Sequence, residues 1–205
     1  MALARSARIS DTHSAMSSGQ TPSTLNDLLT QAEDFALFSM RQAGRVPPTM
    51  MAVSPKGLLI YLPEQMGNDR AKNDFATTAR LICIAHDVTA VVMILESWMK
   101  MAAPGETLDA TEAPSEAIDR KEVVVLAGES RDKKRQKFLP IIRTDVGGFF
   151  GFGESDLPDL NNFEGRFAEI LPPQAAPATL KAQARMLLRA MGLTDDALGQ
   201  TGGAS

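Results

Sequence analysis

The stretch RKEVVVLAGESRDKKRQKFLPIIRTD, residues 120–145, decides the fold. It holds a β-branched run, then the charged connector RDKKRQK, then a second extended run, FLPIIRTD. A return this short forces the two strands to pair antiparallel, because a parallel pair needs a crossover of about a dozen residues or more. The same logic extends in both directions along the chain.

Upstream, VTAVVMILESWMKM is apolar on both faces at its start, as expected of a central strand covered on two sides. Before it, the period of Phe75, Ala79, Ile82 and His86, widened by Ala76, Leu81 and Ala85, predicts a helix over 69–86, capped by Asn68 or Asp69. Ser54-Pro55-Lys56-Gly57 is turn chemistry and predicts a hairpin with strands over 49–53 and 57–62. A first helix spans 23–42. Thr24 and Asp27 form a capping-box variant at its start, and Gly44 with Pro47 and Pro48 ends it. Downstream, GGFFGFGESDLPDLNNFEG reads as a long irregular stretch and RFAEILPP as a last strand. A third helix carries Leu180, Ala184, Leu187, Leu188 and Met191 on one side and stops at Gly192.

The expected architecture is α+β: a single antiparallel sheet of about five to six strands with helices packed on it, in the order α-β-β-α-β-β-β-β-α. The expected organisation is an N-terminal tail over 1–20, one domain over 21–192 with a long polar loop at 102–118, and a C-terminal tail over 193–205. This element order is similar to that of the roadblock, profilin and PAS-like folds, which host unrelated functions.

Composition narrows the function. The 205 residues are 44% hydrophobic with a net charge of −4, which does not suit a phosphate-neutralising surface. The longest apolar run, 88–95, is far short of a membrane span. Residues 1–20 lack the apolar core of a secretory signal, faintly resemble an organelle transit peptide, and read rather as a leader tail. Cytoplasmic residence is the default expectation. The single cysteine, Cys83, excludes an internal disulfide and a thiolate zinc cluster, and its apolar neighbours predict burial. Cys83 and His86 share a helix face, but nothing marks a third group to orient them. Serine-nucleophile chemistry lacks both the Gly-x-Ser-x-Gly turn and a credible histidine, since His13 lies in a tail. The glycines of GGFFGFGES lack the Lys-Ser/Thr and helix of a phosphate loop. No cofactor and no metal are implied.

Pairing the central strand with the strand after it brings Glu96 and Trp98 close to Asp119, Arg120 and Glu122 at one end of the sheet. Such a cluster has two readings. In one, Glu96, Asp119 and Glu122 bind a divalent metal for hydrolysis, with Arg120 beside them. The Glu-x-Lys spacing of PD-(D/E)xK nucleases is missing, however: ESWMK puts three residues between Glu96 and Lys100. In the other, the charges are rim ion pairs, with Arg120 tying down the acidic loop. The basic connector reads as a solvated hairpin tip rather than a nucleic-acid patch.

The segment from Glu96 and Trp98 to Pro114, Ser115, Asp119, Arg120 and Glu122 resembles a group of uncharacterised bacterial and phage proteins with Glu-x-Trp, a polar loop, and Pro-Ser-x-x-x-Asp-Arg-x-Glu before a strand. The resemblance covers about a fifth of the chain and attaches no activity to it. The leading expectation is therefore a protein that works by binding, through Phe149, Phe150, Phe152 and Trp98, the acidic loop, or an open sheet edge. Its partner is an unidentified protein or a second copy, through a sheet edge or the first helix. A metal-assisted hydrolase and a small-molecule sensor with a PAS-like pocket are the alternatives.

Overall fold

A computed structural model of the protein describes residues 22–100, 120–155, 160–161 and 163–194. Its elements are α1 (Leu25–Ala43), β1 (Thr49–Ser54), β2 (Gly57–Tyr61), α2 (Asp69–Ala85), β3 (Ala90–Met99), β4 (Lys121–Ser130), β5 (Lys134–Arg143), β6 (Phe149–Phe152) and α3 (Ala178–Ala190). The strands form one antiparallel sheet in the order β2-β1-β3-β4-β5-β6. The expected α+β class and element order hold. The expected loop at 102–118 and most of both expected tails lie outside the described residues. No helix among the described residues is long and apolar enough to cross a membrane.

Helix α1 covers one face of the sheet. Thr24 caps it reciprocally: its hydroxyl accepts from the Asp27 N–H at 3.1 Å, and the Asp27 carboxylate accepts from the Thr24 N–H at 3.0 Å. Gly44, at φ 68°, turns the chain out of the helix, a backbone shape that suits glycine. Leu28, Leu29, Ala32 and Phe35 pack on Met51, Val92, Ile94, Val124 and Leu126. On the opposite face Phe75, Ala79, Ile82 and Cys83 of α2 meet Met50, Ala52, Leu59, Val91 and Met93. Strand β3 thus sends alternate side chains into two cores, which is why its sequence is apolar throughout its first half. Helix α3 lies on α2 and adds Ala184 and Leu188 to that second core. Cys83 is buried there, and burial pushes its thiol up from its ordinary range, which suits an inert hydrophobe.

The approach of α1 to β4 depends on Gly128. A Cβ at that position would stand 3.0 Å from Leu25 Cδ1 and 3.2 Å from Leu29 Cδ2. Gly128→Ala is expected to cost about 1–2 kcal/mol as α1 shifts outward. Urea denaturation checks this, and an unchanged midpoint contradicts the close approach.

Two elements differ from expectation. RFAEILPP is not a strand; residues 166–173 form a turn and irregular bends, and Glu169 sits at φ 56°. Its backbone N–H groups go to a side chain instead of a ladder. The Glu129 carboxylate accepts from Glu169 N–H at 2.5 Å and from Leu171 N–H at 2.9 Å. Arg80 secures the same segment from the other side, donating to the carbonyls of Arg166, Ala168 and Glu169. The sixth strand comes from the stretch read as irregular. The Thr144 N–H donates to the Gly148 carbonyl at 2.8 Å, and Gly147 takes φ 82° in the turn that starts β6. The hairpin tip between β4 and β5 is also shorter than expected. Lys134 to Lys137 belong to β5, and Lys137 reaches Glu33 of α1 while Arg135 reaches Asn26.

Candidate functional site

Of the expected cluster, Glu96, Trp98, Arg120 and Glu122 lie together where the end of β3 meets the start of β4. In the β3–β4 ladder Glu96 lies opposite Val124 and Trp98 opposite Glu122, so the two carboxylates are diagonal neighbours on the α1 face. The β4–β5 ladder places Val123 opposite Pro140, and on that register Arg143 falls diagonal to Glu122. The Arg143 guanidinium grips Glu122 with two parallel bonds: Nε donates to Oε2 at 2.6 Å and Nη2 donates to Oε1. Its Nη1 points to the carbonyls of Gly44 and Gly147, each at 3.4 Å. One arginine thereby joins the C-terminal end of α1, the start of β4 and the β5–β6 turn.

Glu96 turns its carboxyl group inward, although the residue as a whole is exposed at the rim. Its Oε2 accepts from the Val46 N–H at 2.9 Å. Burial of the group raises its pKa above the ordinary carboxylate range, and its hydrogen bond to Glu122 and that neighbour's charge push in the same direction. Glu122 moves the other way, chiefly because Arg143 bonds it. The pair therefore shares its charge unequally: Glu122 holds the negative charge against Arg143, and Glu96 is the site that favours a proton.

Glu96 has a folded pKa above its unfolded one. Its contribution to stability is full below the unfolded pKa and is lost as pH rises through the raised folded value. Glu96→Gln keeps an acceptor for Val46 and a donor for Glu122 without that titration. Its melting temperature is expected to match the parent protein near about pH 4 and to exceed it near about pH 7. Thermal melts across that range decide it, and parallel curves for the two proteins refute it.

Trp98 and Arg120 also meet. The Arg120 guanidinium lies over the indole ring, 4.6 Å from its centroid. Asp119 and the acidic loop that Arg120 was expected to hold lie outside the described residues. The arginine that bonds Glu122 is Arg143, which lies inside FLPIIRTD and is not among the residues expected at this site. Extending the hairpin register by one diagonal step would have found it.

The three phenylalanines separate. Phe149 and Phe152 pack edge-to-face, 5.2 Å between centroids, and lean on the α1-side core. Phe150 is 78% exposed. The ladder pairs Ile142 with Gly151 and Arg143 with Phe149, so Phe150 is the extra residue of a β-bulge and has no partner opposite. Among the described residues no group of three or more His, Cys, Asp or Glu side chains is placed to hold a metal ion.

No protein-family model matches this chain, and no curated protein or solved structure is significantly similar to it.

Proposed function

We propose that this chain acts by binding, adding an extended segment of a partner protein along β6, with Phe150 as the anchoring side chain. The observation that carries the reading is the exposed, bulged Phe150 on a strand of composition Phe-Phe-Gly-Phe that ends the sheet. Such a strand offers backbone donors and acceptors outward and carries none of the charges that usually guard an edge. Ile142 and Val146 are exposed nearby in the chain and enlarge the apolar surface. The hydrolase reading receives less support, because Arg143 occupies both oxygens of Glu122, where a cation would have to sit.

Phe150→Ala is expected to leave the melting temperature within about a degree, since the ring is exposed, and to weaken capture of a partner by at least about tenfold. Affinity purification from the native cell with parent and variant baits measures this. Identical sets of retained proteins from the two baits sink the reading.

A further inference from the structure

Helix α3 carries a second exposed apolar surface, separate from the β6 edge. It rests on α2 through only two buried residues, Ala184 and Leu188. Four large apolar side chains of this short stretch are left exposed: Leu180 by 41%, Met186 by 65%, Leu187 by 48% and Met191 by 51%. At about 100° per residue, Leu180, Leu187 and Met191 line one flank, and Met186 stands on the crown opposite the buried pair. Lys181, Arg185 and Arg189 line the other flank at spacings of four. The helix contains no acidic residue, in a chain whose net charge is −4. Lys181 is engaged by Asp87 at 3.0 Å, whereas Arg185 and Arg189 stand exposed.

We propose that the outer face of α3 binds an acidic amphipathic helix from a partner protein. The apolar flank and the Met186 crown supply a surface that adapts its shape, as methionine-rich surfaces do. The arginine row selects for carboxylates along one side of the incoming helix. A second copy of α3 fits poorly, because antiparallel stacking would add three like charges from each helix with no carboxylate from either. A lipid surface fits poorly too. The crown around Met186 is made of Thr179, Ala182, Gln183 and Ala190, which insert little apolar volume, and the overall charge is negative.

The test uses the full chain and a fluorescein-labelled helical peptide of about 15 residues, with leucines at i, i+4 and i+7 and glutamates on its flanks. Fluorescence anisotropy is expected to show saturable binding that weakens about tenfold for Arg185→Glu/Arg189→Glu and also for Leu187→Asp. The same peptide with lysines for glutamates is expected to bind only the charge-reversed variant. Phe150→Ala is expected to leave this binding intact, so failure of the β6 reading and failure of this one are distinguishable. Absence of saturation, equal binding of the lysine peptide, or indifference to charge reversal overturns the proposal. So does a dimer in sedimentation that Leu187→Asp dissociates, which would assign the face to a second copy. Preferential binding to phosphatidylserine vesicles would assign it to lipid instead. All substituted residues are exposed, and circular dichroism confirms that the variants fold.

Discussion

Glu129→Ala is expected to destabilise the protein by on the order of 3 kcal/mol, a large share of what a domain of this size possesses. Glu129 is only 2% exposed, in the strand that α1 and the 163–171 segment both lean on. Both of its oxygens are used, one by the N–H of Glu169 and one by that of Leu171. Alanine removes two charge-assisted bonds and leaves two backbone donors, one of them buried, without an acceptor. The loss is local in origin. Ala168, Ile170 and Leu171 are buried on the α2 side only because their backbone is held there. Arg80 supplies the donor side of the clamp, bonding the segment's carbonyls, so the segment should detach and expose apolar surface rather than unfold the sheet outright. Glu129→Gln keeps one acceptor and is expected to lose about half as much. Hydrogen exchange at Glu169 and Leu171, with denaturant melts of both variants, measures it. Equal stability of the alanine variant and the parent would mean that the carboxylate does not hold this segment.

The clamp also marks where sequence reasoning stopped. The helices, the β1–β2 hairpin and the β4–β5 pairing were legible because each rests on local chemistry: the Thr24–Asp27 box, the Ser54–Gly57 turn, the period of Phe75, Ala79 and Ile82. The 166–173 segment has a strand-like composition, yet its N–H groups are satisfied by a side chain far away in sequence. Period and propensity carry no trace of such a partner. β6 failed for the opposite reason. Its glycines mark a turn, and its strand character comes from Phe149 and Phe152 finding the α1-side core, a tertiary contact that overrides propensity. In the site, the neighbours Glu96, Glu122 and Trp98 followed from one ladder. Arg143 required the register of a second ladder, and the sequence reading counted only its hairpin turn. Helix α3 shows a related limit. Its apolar period was legible as one side carrying Leu180, Ala184, Leu187, Leu188 and Met191, but of these only Ala184 and Leu188 are buried, a distinction that periodicity does not draw.

Arg143→Met is expected to cost about 1–2 kcal/mol, because it leaves a partly enclosed carboxylate without its bidentate donor at a rim that water still reaches. The Glu122 side chain retains 14% exposure and its partner Glu96 offers a second carboxyl group in place of a cation. With Arg143 gone, two acids face each other without a cation beside them. With Arg143 present, Glu122 has a folded pKa below its unfolded one, so its stabilising contribution is present above the unfolded value and is lost as pH falls through the lowered folded value. The variant should invert that dependence and gain stability as acid neutralises the pair, with a smaller deficit near about pH 4 than near about pH 7. Glu122→Leu alone leaves Arg143 without its bidentate partner, though 30% of that side chain reaches solvent and the loss should be smaller. The double variant Arg143→Met/Glu122→Leu removes both charges and should recover most of the single-variant loss, giving a coupling energy of about 1 kcal/mol. A purely additive cycle would mean that the pair does not hold the end of α1, the sheet rim and the β5–β6 turn together. The same cycle bears on the hydrolase reading. If the carboxylates were metal ligands restrained by Arg143, Arg143→Met would bind Mn²⁺ and be restabilised by it, whereas a rim clamp predicts no metal-dependent shift in melting temperature.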